Sequence, residues 1–230
     1  MTNQRIKMSL FGRKKFENPA KNSQGEFEVN NWITSEFIVQ KLVPVVGVHP
    51  FPLDELSLMT ATVCRFRPEL IFEWGTNIGK SARIFLEIVN AFEIPSHIHS
   101  IDLPDEVFHN EHPKNDRGKL VRGMKGVTLH QADGVTRALE IIAQQKPAGK
   151  LLFLVDGDHS YESVYKELAA ILDAQPDAVV LLHDTFYQVP GSNYNTGPHD
   201  AIKAVLSARG NAYRTISTQL GLPGMTLVYK

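Results

Sequence analysis

The sequence predicts an α/β fold, a doubly wound and mostly parallel sheet of seven strands that ends in a C-terminal antiparallel hairpin. Three observations predict it. Short apolar runs alternate with segments of helical periodicity, the runs read apolar throughout, and the last two are separated only by a turn-rich segment. Strands apolar on both faces are what a parallel sheet covered by helices on each side requires.

Upstream of Pro50-Phe51-Pro52, residues 1–50 read as an appendage or lid to a domain spanning residues 51–230. Within the appendage Trp32, Ile33, Phe37, Ile38 and Leu42 predict one helix, its apolar face packed on the domain or over a ligand cleft. From Leu53 to Arg67 the spacing Leu56, Met59, Val63, Phe66 is helical. Asp54 and Glu55 suit its positively polarised N-terminus, and Pro68 ends it. Strands follow at Leu70–Trp74, Ile98–Asp102, Val127–Ala132, Leu151–Asp156 and Ala178–His183. Between them lie helical stripes such as Ile84, Phe85, Ile88, Val89, Phe92 and Val164, Tyr165, Leu168, Ile171, Leu172. A helix around His199–Ala208 precedes strands Tyr213–Ser217 and Met225–Tyr229, joined by Leu220-Gly221-Leu222-Pro223-Gly224.

Composition narrows the function classes. With 230 residues, 43% hydrophobic and 21% charged, one large domain can bury a core. A net charge of -1 gives no bulk attraction to nucleic acid or anionic membrane. The basic residues Lys7, Arg13, Lys14, Lys15 and Lys21 are too sparse to change that reading. Cys64 is the only cysteine, which excludes an intrachain disulfide and a cysteine-based zinc cluster and fits a reducing cytoplasm. No stretch approaches the roughly 18 apolar residues of a membrane span. The expectation is a soluble, cytoplasmic protein acting on a small molecule, with homo-oligomers left open.

Polar residues gather where such a sheet binds ligands, beyond the carboxyl ends of its strands. The five parallel strands end in Glu73, Asp102, Asp133, Asp156 with Asp158, and His183-Asp184. Helix N-capping accounts for an aspartate at any one of these places. It does not account for Asp156 and Asp158 together, nor for Glu73 ahead of a glycine turn. That turn, Glu73-Trp74-Gly75-Thr76-Asn77-Ile78-Gly79-Lys80-Ser81, has the form E-x-G-x-x-x-G. A carboxylate replaces the first glycine of the dinucleotide fingerprint, which opposes a pyrophosphate and suits a cationic or hydroxyl-bearing ligand.

Glu73-x-Gly75-x-x-x-Gly79, with Asp102 ending the next strand, resembles the first two motifs of class I S-adenosylmethionine methyltransferases, which have a Rossmann-like sheet. The stretch Val155-Asp156-Gly157-Asp158-His159-Ser160-Tyr161-Glu162, followed by Leu182-His183-Asp184-Thr185, is similar to the branch of macrocin and novobiocin-type sugar O-methyltransferases and cephalosporin-hydroxylase-like proteins. The resemblance runs from about Leu53 to the end.

It implies S-adenosylmethionine as cofactor, held by Glu73, Gly75, Thr76, Asn77, Gly79, Ser81, Asp102, Asp133 and Asp156. Asp102 takes the ribose hydroxyls, in charge-assisted bonds contributing roughly 1.5–3 kcal/mol each. Asp133 lies beside the adenine or simply caps the next helix. The resemblance also implies a divalent metal on Asp156, His183 and Asp184. His183 departs from the family's paired aspartates, so magnesium competes with manganese, iron or zinc. Asp158 matches the family's base for deprotonating an acceptor hydroxyl of a small molecule or sugar. His159, with an ordinary pKa near 6.5, is the rival.

The histidines His49, His109, His112 and His130 lack partner spacing and read as surface or packing residues. The polar stretches Leu103–Gly123 and Tyr187–His199 are expected at the acceptor side of the cleft or as plain surface loops. Three readings compete with methyl transfer. They are a haloacid-dehalogenase-like phosphatase using Asp156 and Asp158, an iron-dependent oxygenase like the cephalosporin hydroxylases, and a non-catalytic cofactor-binding protein on the same fold.

Overall fold

The computed structural model describes residues 16–19, 29–107, 113–188, 193–210 and 212–230. Lys7, Arg13, Lys14, Lys15, Lys21, His109 and His112 lie outside them. Along the chain come α1 (Asn31–Phe37), which runs through a π-helical turn at Ile38–Leu42 into α2 (Val43–Val46), then α3 (Leu53–Phe66) and β1 (Leu70–Trp74). Next are α4 (Lys80–Ala91), β2 (His97–Asp102), a short 3-10 turn at Lys114–Asp116, β3 (Val127–Gln131), α5 (Gly134–Gln145) and β4 (Leu151–Val155). The chain closes with α6 (Tyr161–Ala174), β5 (Val179–His183), α7 (Gly197–Ser207), β6 (Arg214–Ser217) and β7 (Met225–Tyr229).

The strands form one sheet in the order β3-β2-β1-β4-β5-β7-β6. β1 to β5 are parallel, and β7 inserts antiparallel between β5 and β6. This is the seven-stranded, Rossmann-like α/β arrangement that the apolar runs predict. The order reverses at β1, which pairs with β2 on one side and β4 on the other, so the loops after β1 and β4 open a crevice between them.

The side-chain period of two divides the apolar strands between two cores. Ile71, Leu152 and Leu181 pack with α3 and α4 on one face, whereas Phe72, Phe153 and Val180 pack with α5, α6 and α7 on the other. Each large side chain buried this way contributes about 1.5–3 kcal/mol. β3 lies at a sheet edge and is only partly buried, so its apolar residues Val127 and Leu129 serve the first core alone.

α1 opens with Asn30, whose side chain accepts the Trp32 and Ile33 N–H groups at 3.1 and 3.4 Å. Phe37, Ile38, Leu42 and Val46 are buried in the first core, and the Phe37 ring meets Phe92 of the segment after α4 at 5.0 Å. The π turn lies just ahead of Pro44, which has no N–H to donate back. Trp32 departs from the sequence expectation, being 86% exposed. Five residues before Phe37 at about 100° per residue, it is turned about 140° off the packed stripe.

Candidate active site

The loops after β1 to β5 surround a cleft of about 1210 Å³. That exceeds the roughly 300–1,000 Å³ of a typical single-ligand pocket and leaves room for two ligands side by side. Gly75 lines it with a φ of +87°, and a Cβ there would meet the Asp156 carbonyl oxygen at 2.1 Å. The glycine therefore lets the β1 and β4 loops close on each other at the floor of the crevice. Gly79 performs a different task. A Cβ on it would meet Val121 and Gly118 at 2.9 and 3.2 Å, so its small size seats the 118–121 segment against the start of α4.

Thr76, Asn77, Ser81, Asp102, Asp133 and Asp156 line the cleft with Gly75. Glu73 and Gly79 do not. Glu73 is fully buried beneath the loop, where its Oε2 accepts the Ser81 hydroxyl at 2.8 Å. Burial pushes its carboxyl up to about 7, against the hydrogen bonds from Ser100 and Ser81. One residue on, Trp74 points to the opposite face, donates its indole N–H to Glu167 at 3.2 Å and lines the cleft. Its ring lies so close to the α5 start that a Cβ on Gly134 would meet it at 2.5 Å. Burial raises the Glu167 carboxyl to about 7.

Asp102 is buried and already partnered. Its Oδ2 accepts Arg117 Nε at 3.2 Å and the Asn77 N–H at 3.3 Å, and its Oδ1 accepts the Leu103 N–H at 3.0 Å. Arg117, itself buried, also binds Asp105 and the Leu103 carbonyl. A carboxylate oxygen has two lone pairs, so Oδ1 keeps capacity for a ligand hydroxyl. Asp133 caps α5, its Oδ1 accepting the Thr136 N–H at 2.9 Å while it lines the cleft.

Asp156, His159, His183 and Asp184 converge, each offering one donor atom with all four within 4.8 Å of one another. His183 Nδ1 lies 2.9 Å from Asp156 Oδ1 and 3.3 Å from Asp184 Oδ2. His159 Nδ1 is 3.0 Å from Asp184 Oδ2, and its Nε2 lies 3.4 Å from Asp156 Oδ1. Burial opposes charge on all four, yet the mixture of signs prevails. His183 is raised well above the usual imidazole range and His159 is raised, Asp184 is lowered, and Asp156 is held at about 2 by His183 and His159. Among the described residues, buried His159 Nε2 makes no well-formed hydrogen bond and has Asp156 Oδ1 at 3.4 Å. Two imidazoles and two carboxylates with donor atoms this close fit a divalent cation.

Asp158 stands outside this cluster. Its carboxylate accepts the Ser160 N–H and hydroxyl, both at 3.0 Å, and lies at the cleft wall.

Several cleft residues escaped the sequence reading. His49, read there as a surface or packing residue, lines the cleft and accepts Lys80 Nζ on its carbonyl. His130 instead faces His99 at 3.0 Å, away from the cleft lining. Glu55 is fully buried with its Oε2 3.0 Å from His183 Nε2. No local signal marks that contact, because 128 residues separate the pair. From the polar stretch after β5, Tyr194 lines the cleft and donates to Asp184 Oδ1 at 3.2 Å.

Residues 72–185 match the family described as Methyltransferase domain. No curated protein matches the sequence. Among solved structures, CalS11, a TDP-rhamnose 3'-O-methyltransferase of calicheamicin biosynthesis, superposes with a TM-score of 0.54 at 15% identity, covering 85% of this chain and 86% of that one. An O-methyltransferase from Bacillus cereus in complex with SAH gives 0.52 at 12% identity, covering 86% and 90%. The O-methyltransferase TomG from Streptomyces achromogenes, in complex with SAM, gives 0.51 at 15% identity and covers 90% of each chain. Residues 72–185, just under half of the chain, are thus similar to a methyltransferase domain, and the Rossmann-like sheet is the fold shared with these solved structures.

Proposed function

We propose that the chain transfers a methyl group from S-adenosylmethionine to a hydroxyl of a small molecule or sugar, with a divalent metal at the acceptor end of the cleft. The observation that carries this reading is a single cleft with Asp102 at the end of β2 and the Asp156, His159, His183, Asp184 cluster at the ends of β4 and β5. When bound, the cofactor supplies an electrophilic methyl on its sulfonium and the metal lowers the pKa of the acceptor hydroxyl.

The chain's own residues do the rest. Asp102 Oδ1 takes a ribose hydroxyl, and Asp133 and Trp74 border the adenine end. Gly75, Thr76, Asn77 and Ser81 border the amino-acid end, with Asp156 between the two ligands. Glu73 supports this loop from beneath through Ser81. Asp156 and Asp184 hold the metal, with His183 and His159 as its nitrogen donors. Asp158 is then the group left outside the cluster to take the acceptor's proton, since both nitrogens of His159 face carboxylates of the cluster.

Turnover separates the two candidate bases. With S-adenosylmethionine and a panel of hydroxylated small molecules and sugars, mass spectrometry detects a methylated product and S-adenosylhomocysteine. Asp158→Asn lowers that turnover by roughly 100-fold with cofactor affinity retained, the size expected for a lost general base. Near-normal turnover in Asp158→Asn would reassign the base.

A further inference from the structure

The sequence motifs single out the strand ends, but the cluster there has a partner that no motif contains. Glu55 sits in the first turn of α3, fully buried, and its Oε2 lies 3.0 Å from His183 Nε2. His183 is only 4% exposed, with the Phe51 ring packed against it at a centroid distance of 4.7 Å. The imidazole is thereby held on two sides. Its Nε2 is committed to α3, and its Nδ1 is turned to Asp156 and Asp184.

We propose that Glu55 is a positioning residue for the metal: by accepting the Nε2–H of His183 it keeps Nδ1 as the donor, completing two imidazoles and two carboxylates that select a borderline d-block cation over magnesium. This inference rests on the metal reading given under Proposed function.

The argument has three steps. When a metal displaces the Nδ1 proton the imidazole is neutral and carries one N–H, so a carboxylate that accepts from Nε2 leaves the Nδ1 lone pair for that metal. Histidines that bind metals commonly donate their other nitrogen to a carboxylate, and losing that partner typically costs 10–100-fold in metal affinity. Imidazole favours zinc, cobalt, nickel, copper and iron, whereas magnesium takes oxygen donors and keeps its waters. His159 adds the second imidazole, because its Nε2 lies 3.4 Å from Asp156 Oδ1 and its Nδ1 3.0 Å from Asp184 Oδ2, inside the cluster. Glu55 does not line the cleft, so its effect there runs through His183.

The test is calorimetric titration of the full chain with Co²⁺ and Mg²⁺, followed by the visible absorption of the Co²⁺ complex. Wild type is expected to bind Co²⁺ at least 100-fold more tightly than Mg²⁺. Glu55→Gln is expected to weaken Co²⁺ by 10–100-fold, alter the Co²⁺ absorption bands and narrow the Co²⁺ to Mg²⁺ ratio. A merely structural Glu55 would change the unfolding temperature and leave that ratio and those bands unmoved, which would overturn the positioning role. Wild type binding neither ion would overturn the metal reading itself, and tighter Mg²⁺ than Co²⁺ would overturn the selectivity alone. Should Glu55→Gln fail to fold, ¹⁵N NMR of wild type with Zn²⁺ decides. The His183 Nδ1 resonance shifts while Nε2 keeps its proton, and a metal-shifted Nε2 would contradict the proposal.

Discussion

Arg117 Nε lies 3.2 Å from Asp102 Oδ2, with both side chains buried, so the acid that ends β2 is paired before any ligand arrives. The same guanidinium reaches Asp105 and the Leu103 carbonyl and ties the polar connection after β2 to the cleft floor. A charge in this position is stabilising only while its partner is present, because an unpaired buried carboxylate keeps its full desolvation penalty.

Arg117→Met is therefore expected to destabilise the fold by about 3 kcal/mol, the size found when one member of a buried pair is removed. Urea unfolding measures it. A loss below about 1 kcal/mol would mean that the pair behaves like a solvated surface bridge.

The two tryptophans separate binding from surface effects. Trp74 lines the cleft beside Gly134 and Gly157, whereas Trp32 is 86% exposed on α1. Titration with S-adenosylhomocysteine is expected to change tryptophan fluorescence in wild type and in Trp32→Phe, and to leave Trp74→Phe without a response. A signal that vanishes with Trp32 would place the ligand elsewhere.

Glu73 makes stability depend on pH in a stated direction. An unfolded glutamate ionises near 4.3, whereas burial holds the Glu73 carboxyl up to about 7. Between those values the unfolded chain releases a proton that the folded chain retains, so this group lowers stability as the pH rises through the window. Glu73→Gln removes the titration and keeps an acceptor for Ser81. Relative to wild type it is expected to gain up to about 3 kcal/mol between pH 4 and pH 8, measured by denaturant unfolding. An unchanged difference across that range would show that Glu73 is ionised in the fold at an ordinary pKa.

The strands were legible because β1, β4 and β5 are buried on both faces, which leaves no polar alternation to blur them. Strand-end acids were legible as a set for the same reason, since an acid after an apolar run falls on one edge of a parallel sheet. Their individual directions were not. Glu73 lies within β1, and the period of two turns it beneath the loop toward α4 while Trp74 takes the cleft side. Glu55 looked like a charge placed for a helix N-terminus, and only the packing of α3 against the end of β5 shows it facing His183. Arg117 was hidden in a stretch too polar to show periodicity.

Cofactor binding at the β1–β2 end of the cleft is the central claim, and calorimetric titration with S-adenosylhomocysteine tests it most directly. Asp102→Asn keeps the side chain's size and its place beside Arg117 while removing the charge that would meet the ribose hydroxyls. Wild type is expected to bind one ligand per chain, and Asp102→Asn to bind it at least roughly 10-fold more weakly, about 1.4 kcal/mol or more. Equal affinity in the two proteins, with both shown to be folded by circular dichroism, would contradict the account.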